Sequence, residues 1–267
     1  MPTSTALPTI PTLATAFASP EAAGRRVSPR LVATDVDGTL TTSGAIGSKV
    51  VAAVASLHAA GIEVMPVSGR PTGEVLGLCR YLPGVRRGIA ENGLVEVMPD
   101  REPRWIHGEA PDLARLRRVG DALNSDLSAQ LRVTGDAFCR LGDLAFERDG
   151  RDEAELIRLR EAARQLGVHL VWSNVHVHLA HRPADKGEAV LRLLERDGID
   201  PAAVATIGDA PNDAGLFGSD RFGLTVGTAD VLEQLPHFER LPMFVSLARE
   251  ANAFVELSDL LLRHAAD

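Results

Sequence analysis

Lysine is nearly missing from this chain: of 28 basic residues, only Lys49 and Lys186 are lysine and the rest are arginine. Cysteine is scarce too. Cys79 and Cys139 lie far apart with no C-x-x-C pair, which excludes a disulfide framework and a cysteine-based metal site and fits the reducing cytoplasm. Positive charge is in deficit, with 28 basic against 36 acidic residues for a net −8, and there is no run of like charges. A nucleic-acid or anionic-membrane surface is therefore not expected. No apolar stretch approaches the roughly 20 residues that a membrane span requires. The N-terminus has no early positive segment ahead of an apolar core, so a secretory signal is not indicated. Internal repeats are absent.

What remains is an ordinary globular composition, 45% hydrophobic and 24% charged over 267 residues, enough for one large or two modest domains. Residues 1–29, rich in Ala, Thr and Pro, read as a disordered extension, with an organelle transit peptide as the alternative. From Leu31 onward, strand and helix signals alternate. Leu31–Thr34 reads as a buried strand, Lys49–Ala60 as a helix stopped by Gly61, and Ile62–Val67 as a strand followed by a helix with Pro71 near its first turn. Arg87–Ala90 reads as a third strand. Later come a helix over Asp185–Arg196, strands at Val204–Gly208 and Phe222–Val226, and a closing helix over Val245–Leu262. Alternation of this kind predicts an α/β fold with a parallel sheet covered by helices. The middle mixes strands (Ala145–Arg148, His169–Trp172, His176–Ala180) with helices near Asp112–Leu123 and Asp152–Leu166, which suggests an inserted α+β domain. The expected division is core over 30–100, insertion over 101–182, and core again over 183–267.

Four polar clusters fall at strand ends or at the helix starts that follow, where open α/β sheets bind ligands. They are "DVDGTLT" at 35–41, "SGR" at 68–70, "DKGEAV" at 185–190 and "GDAPND" at 208–213. In an extended segment Asp35 and Asp37 would face one point, where like charges need a cation or a shared proton. Each cluster alone reads as a turn or a helix cap. Together, in this order, they imply a site.

The chain from Leu31 to its C-terminus resembles the haloacid dehalogenase superfamily, whose motifs are D-x-D-G-T-[LV], a Ser/Thr after the second strand, a Lys, and G-D-x-x-N-D. The place of the insertion is similar to the C2 cap class, and "SGR" with "ENG" (Glu91–Gly93) is similar to its type B branch. Within that branch "VWSNVHVHLAHRPADKGEAV" looks most like archaeal-type phosphoglycolate phosphatases. The resemblance implies a Rossmann-like core with a C2B cap and a Mg²⁺-dependent phosphatase acting on a small phosphorylated metabolite. In this reading Asp35 attacks phosphorus and forms an aspartyl-phosphate, and Asp37 serves as general acid and then as general base. Asp35, Asp37 (through its backbone carbonyl), Asp209 and Asp213 serve the metal, a hard cation that favours oxygen ligands. Ser68, Gly69, Arg70, Lys186 and Asn212 hold the substrate. A lysine kept at a helix start in an arginine-rich chain suggests the need for a compact ammonium rather than a planar fork. Glu91 and Asn92 are expected to line the cap hinge.

Other groups invite other readings. His176 and His178 share a strand face near His169 and His181, but H-x-H-x-x-H without a carboxylate or cysteine partner reads as a polar cap face rather than a zinc site. Arg70, Arg140 and Arg182 are candidates to grip a substrate carboxylate, set against a solvated surface as the ordinary role of arginines in such a chain. Competing functions are a sugar-phosphate or mannosyl/glucosyl-phosphoglycerate phosphatase, a phosphosugar mutase, and a binding module that has lost turnover.

Overall fold

In the computed structural model the described residues are 9–18, 29–173, 175–218 and 220–265. In chain order the elements are α1 (Leu13–Ala16), β1 (Leu31–Thr34), α2 (Ser48–Ala59), β2 (Glu63–Pro66), α3 (Thr72–Tyr81), β3 (Gly88–Ala90), β4 (Val95–Met98), β5 (Arg101–Trp105) and α4 (Leu113–Leu127). They continue with β6 (Leu144–Glu147), α5 (Glu153–Gln165), β7 (His169–Trp172), β8 (His176–Ala180), α6 (Lys186–Asp197), β9 (Val204–Gly208), β10 (Leu224–Gly227), β11 (Phe244–Val245) and α7 (Ala251–Ala265). The chain divides into two compact units, 1–64 with 199–267, and 65–198.

The first unit is built on a sheet of order β11-β10-β9-β1-β2, with β2, the strand on which the unit's first segment ends, at one edge. The pairs β1–β9, β9–β10 and β10–β11 are all parallel. Every residue of β1, β9 and β10 is buried, which is why these strands read as apolar runs rather than as an alternation. Helix α2 packs against α7 through faces that carry Val54 and Leu57 on one and Phe254 and Leu257 on the other. Burying side chains of this size contributes roughly 1.5–3 kcal/mol each.

Two expectations are corrected in this unit. Residues 9–18 are not disordered: Thr12 bridges Val245, the Val245 N–H donates to the Pro11 carbonyl at 2.9 Å, and Leu13 is fully buried. A sheet edge supplies the partner that a proline-rich segment cannot make from its own helix. The rest of the expected tail, 1–8 and 19–28, lies outside the described residues. The closing helix begins at Ala251 instead of Val245, because Phe244 and Val245 pair with β10 and Glu250 takes a left-handed backbone, φ +48°.

The second unit holds two antiparallel sheets, β3-β4-β5 and β6-β8-β7. Helices α3 and α6 pack on the first, α4 and α5 on the second. Around the second sheet Leu116, Leu123, Phe146, Leu156, Leu159, Val177 and Leu179 form one apolar core. Its helices start where polar side chains satisfy the open N–H groups: Asp112 accepts from the Arg115 N–H at 2.9 Å, and Asp152 from the Glu155 N–H at 2.8 Å. Arg87–Ala90 does continue the parallel series, through the bridge of Ile89 to Val67 just after β2, and on its other edge it leads an antiparallel meander, with β4 and β5 joined through Pro99 and Asp100. This unit therefore takes in 65–100 and 183–198 as well as the insertion at 101–182. Among the described residues no helix is long and apolar enough to cross a membrane.

Candidate active site

Parallel pairing determines which residues meet in the first unit. Thr34 lies opposite Ile207, and the Asp35 N–H donates to the Ile207 carbonyl at 2.9 Å. The carboxyl ends of β1 and β9 therefore lie side by side, and the residues that leave them are Asp35 and Asp209. With Asp213 they form the one group of His, Cys, Asp or Glu among the described residues close enough to hold an ion, one ligand oxygen from each lying within 4.8 Å of the others. All three are buried, at 5%, 6% and 0% exposure.

The surrounding turns hold these acids in place. Asp213 Oδ2 accepts from the Asp209 and Ala210 N–H groups at 3.0 and 3.1 Å, and Thr39 Oγ1 donates to Asp209 Oδ1 at 2.9 Å. Pro211 occupies the first position of the 3₁₀ turn Pro211–Leu216, which also carries Asn212, half-buried. Three buried carboxylates at this spacing repel one another unless a cation compensates, and an all-oxygen donor set suits Mg²⁺. The residues present fit that ion. Asp37 differs from expectation in one respect: the strand ends at Thr34, and Leu40 N–H bonds back to the Val36 carbonyl at 2.8 Å. The half-buried Asp37 thus belongs to a turn instead of sharing a strand face with Asp35, and it lies outside the acidic group.

The second unit gathers Ser68, Gly69, Arg70 and Lys186 around the Glu91–Gly93 turn. Ser68, 1% exposed, donates its N–H to the Ile89 carbonyl, and its own carbonyl accepts from Asn92, both at 2.9 Å. Arg70 donates its N–H to Ser68 Oγ at 3.1 Å, and its guanidinium pairs with Glu74. The Asn92 side chain lies over Gly69 so closely that a Cβ there would come within 2.9 Å of Asn92 Oδ1. That oxygen is buried without a hydrogen-bond partner among the described residues. Lys186 opens α6 behind its cap Asp185, which accepts from the Glu188 N–H at 2.9 Å, and is 1% exposed.

Glu91 and Arg140 carry interactions that motif reading did not show. Fully buried, Glu91 accepts from Thr72 Oγ1 and from the N–H groups of Thr72, Leu141, Gly142 and Asp143. Burial and the nearby Asp143 charge push its pKa up to about 7, while the bonds from Thr72, Leu141 and Gly142 favour the charged form. Gln in its place would turn an amide N–H₂ toward facing N–H donors. Glu91→Gln is expected to lower the unfolding free energy by about 2–4 kcal/mol, measured by urea denaturation.

Arg140 does not stand ready to grip a substrate carboxylate. At 3% exposure it donates from Nε and one terminal nitrogen to Asp136, and from the other to Asp143 and to the Gly69 carbonyl. Burial alone would raise the Asp143 pKa, but the His178 and Arg140 contacts outweigh it and hold this carboxyl below its ordinary value. His178, expected on a polar cap face without a carboxylate partner, is 2% exposed with Nδ1 2.8 Å from Asp143 Oδ2, so the H-x-H strand does have such a partner. Arg182, exposed, lines a pocket of about 450 Å³ with Trp105, His107, His169 and His181.

Comparison with known proteins shows the family and the fold. A profile for the haloacid dehalogenase-like hydrolases matches residues 148–232. A phosphoglycolate phosphatase of Pyrobaculum neutrophilum is 32% identical over 209 residues, covering 75% of this chain and 83% of that protein. Among solved structures, Thermoplasma acidophilum 0175 superposes with a TM-score of 0.69 at 22% identity, over 87% of this chain and 99% of that one. A sugar phosphatase of the superfamily's subclass IIB superposes with a TM-score of 0.62 at 13% identity, over 86% and 96%. The fold is that of this superfamily, with its parallel core sheet and type B C2 cap. The chain belongs to the haloacid dehalogenase-like hydrolases and is a phosphatase.

Proposed function

We propose that this phosphatase hydrolyses a small phosphorylated carboxylic acid, phosphoglycolate first among them, through a phosphorylated Asp35 and with Mg²⁺ as its metal. The observation that carries the reading is the buried trio Asp35, Asp209 and Asp213 at the carboxyl ends of adjoining parallel strands. The substrate class rests on the likeness to a phosphoglycolate phosphatase.

An Asp35 carboxylate oxygen attacks phosphorus, and the ester oxygen leaves with the bonding electron pair. Asp37 delivers a proton to that leaving oxygen. In the second half Asp37, now a carboxylate, takes a proton from water as the water oxygen attacks phosphorus, and Asp35 is released with inorganic phosphate. Ser68, the Gly69 N–H and Lys186 bind the oxygens of the transferring group, with Arg70 and Asn212 at its margins. Asp35, Asp209, Asp213 and the Asp37 carbonyl would hold Mg²⁺, whose charge would offset the repulsion between carboxylate and phosphate.

The test is phosphate release with Mg²⁺ from a panel of phosphoglycolate, hexose phosphates and mannosyl- or glucosyl-phosphoglycerate. Phosphoglycolate is expected to turn over fastest, and EDTA to abolish release until Mg²⁺ is restored. Faster turnover of a sugar phosphate overturns the substrate, and conversion of hexose 1-phosphate to 6-phosphate without free phosphate overturns the hydrolase mechanism. Full activity in EDTA removes the metal from it.

A further inference from the structure

We infer that Arg140 is a positioning residue for Ser68, acting through the peptide group that joins Gly69 to Arg70. The two ends of that peptide are held separately. Its carbonyl accepts from an Arg140 terminal nitrogen at 3.1 Å, and its N–H donates to Ser68 Oγ at 3.1 Å. A hydroxyl that accepts there turns its own proton away from the peptide, ready to be donated to an anion. The charged donor on the carbonyl polarises the peptide and strengthens the N–H bond at its other end.

Arg140 itself has little freedom. Asp136 takes Nε and one terminal nitrogen at 3.0 and 2.9 Å, Asp143 takes the other at 3.0 Å, and Asp143 also contacts His178. Burial opposes the guanidinium charge, and these two carboxylates more than compensate. Glu91 clamps the same loop by accepting from Leu141, Gly142 and Asp143 while it also accepts from Thr72, three residues after Gly69. Glu91 thereby joins the loop 136–143 to Thr72, and Arg140 joins the same loop to the peptide between Gly69 and Arg70. A lysine at 140 would keep the charge but could not span Asp136, Asp143 and Gly69 together.

This inference rests on the reading of Ser68 as a phosphate donor, and its test separates the two. Ser68→Ala, Arg140→Lys and the double variant are compared by kcat and KM for phosphate release with Mg²⁺. Each single change is expected to lower kcat by about 10–100-fold. The double should lose no more than Ser68→Ala does, because Arg140 then has no hydroxyl to orient. Losses that multiply in the double overturn the inference. Should Arg140→Lys fail to fold, Arg140→Gln with Asp143→Asn, which removes charge in a pair, carries the same cycle. A second readout needs no turnover: amide exchange at Arg70, by NMR, should speed up at least tenfold in the Arg140 variant. If the wild-type protein releases no phosphate from any ester, the functional reading fails while the Arg70 amide still decides the inference. Unchanged exchange there sinks it.

Discussion

Asp35→Asn is expected to reduce phosphate release by at least about 10⁴-fold while the protein stays folded. The substitution preserves shape and leaves the backbone bond from residue 35 to Ile207 untouched. Its chemical effect is large because an amide is a poor nucleophile toward phosphorus and cannot share the negative charge a divalent cation needs. Its structural effect is small or favourable. One of three charges clustered within 4.8 Å disappears, so the melting temperature measured without metal should hold or rise. Phosphate assay and thermal melting on one preparation check both halves. Turnover within tenfold of wild type would remove Asp35 from the attacking role.

A second large effect is expected from one methyl group. Gly38 has φ +81°, and a Cβ built on it would stand 2.5 Å from Asp209 Oδ2. In Gly38→Ala the left-handed backbone costs about 1–2 kcal/mol, and the clash forces either the turn or the Asp209 carboxylate to move. Thr39, next in line, holds the other oxygen of Asp209, so displacement of this turn also disturbs that bond. A shift near 1 Å among catalytic groups costs on the order of 100-fold in rate. The variant should therefore lose about 100-fold in kcat and require more Mg²⁺ for half-maximal activity, read from a Mg²⁺ titration. A titration identical to wild type would mean that the turn absorbs the methyl group without touching Asp209.

The core strands were readable because parallel strands buried on both faces leave apolar runs: Leu31–Thr34 and Val204–Gly208 stand at their expected bounds. The acids that follow them were readable because strand ends in such sheets place polar residues at a ligand site. Other features depended on partners that are distant in the sequence. Nothing local marks Gly88–Ala90 as the head of an antiparallel meander, since three apolar residues fit either sheet. Asp37 does not share a strand face with Asp35, because the i, i+2 rule assumes a strand and this one ends at Thr34. Arg140 looked like one arginine among 26, and its role emerges only from burial beside Asp136, Asp143 and the Gly69 carbonyl. His178 likewise gains its meaning from Asp143, 35 residues earlier.

The pairing of β1 with β9 bears on how the protein is made. The unit over 65–198 is continuous, so all its strands exist once Gly198 has been polymerised. At that moment the first unit has β1 and α2 but neither β9 nor the Asp209 and Asp213 that follow it, and Asp209, the partner of Thr39, comes 170 residues after it. A nascent chain that stops before Ile207 lacks β9 and two of the three clustered acids, and β1, buried in the finished sheet, lacks one of its two neighbours until then.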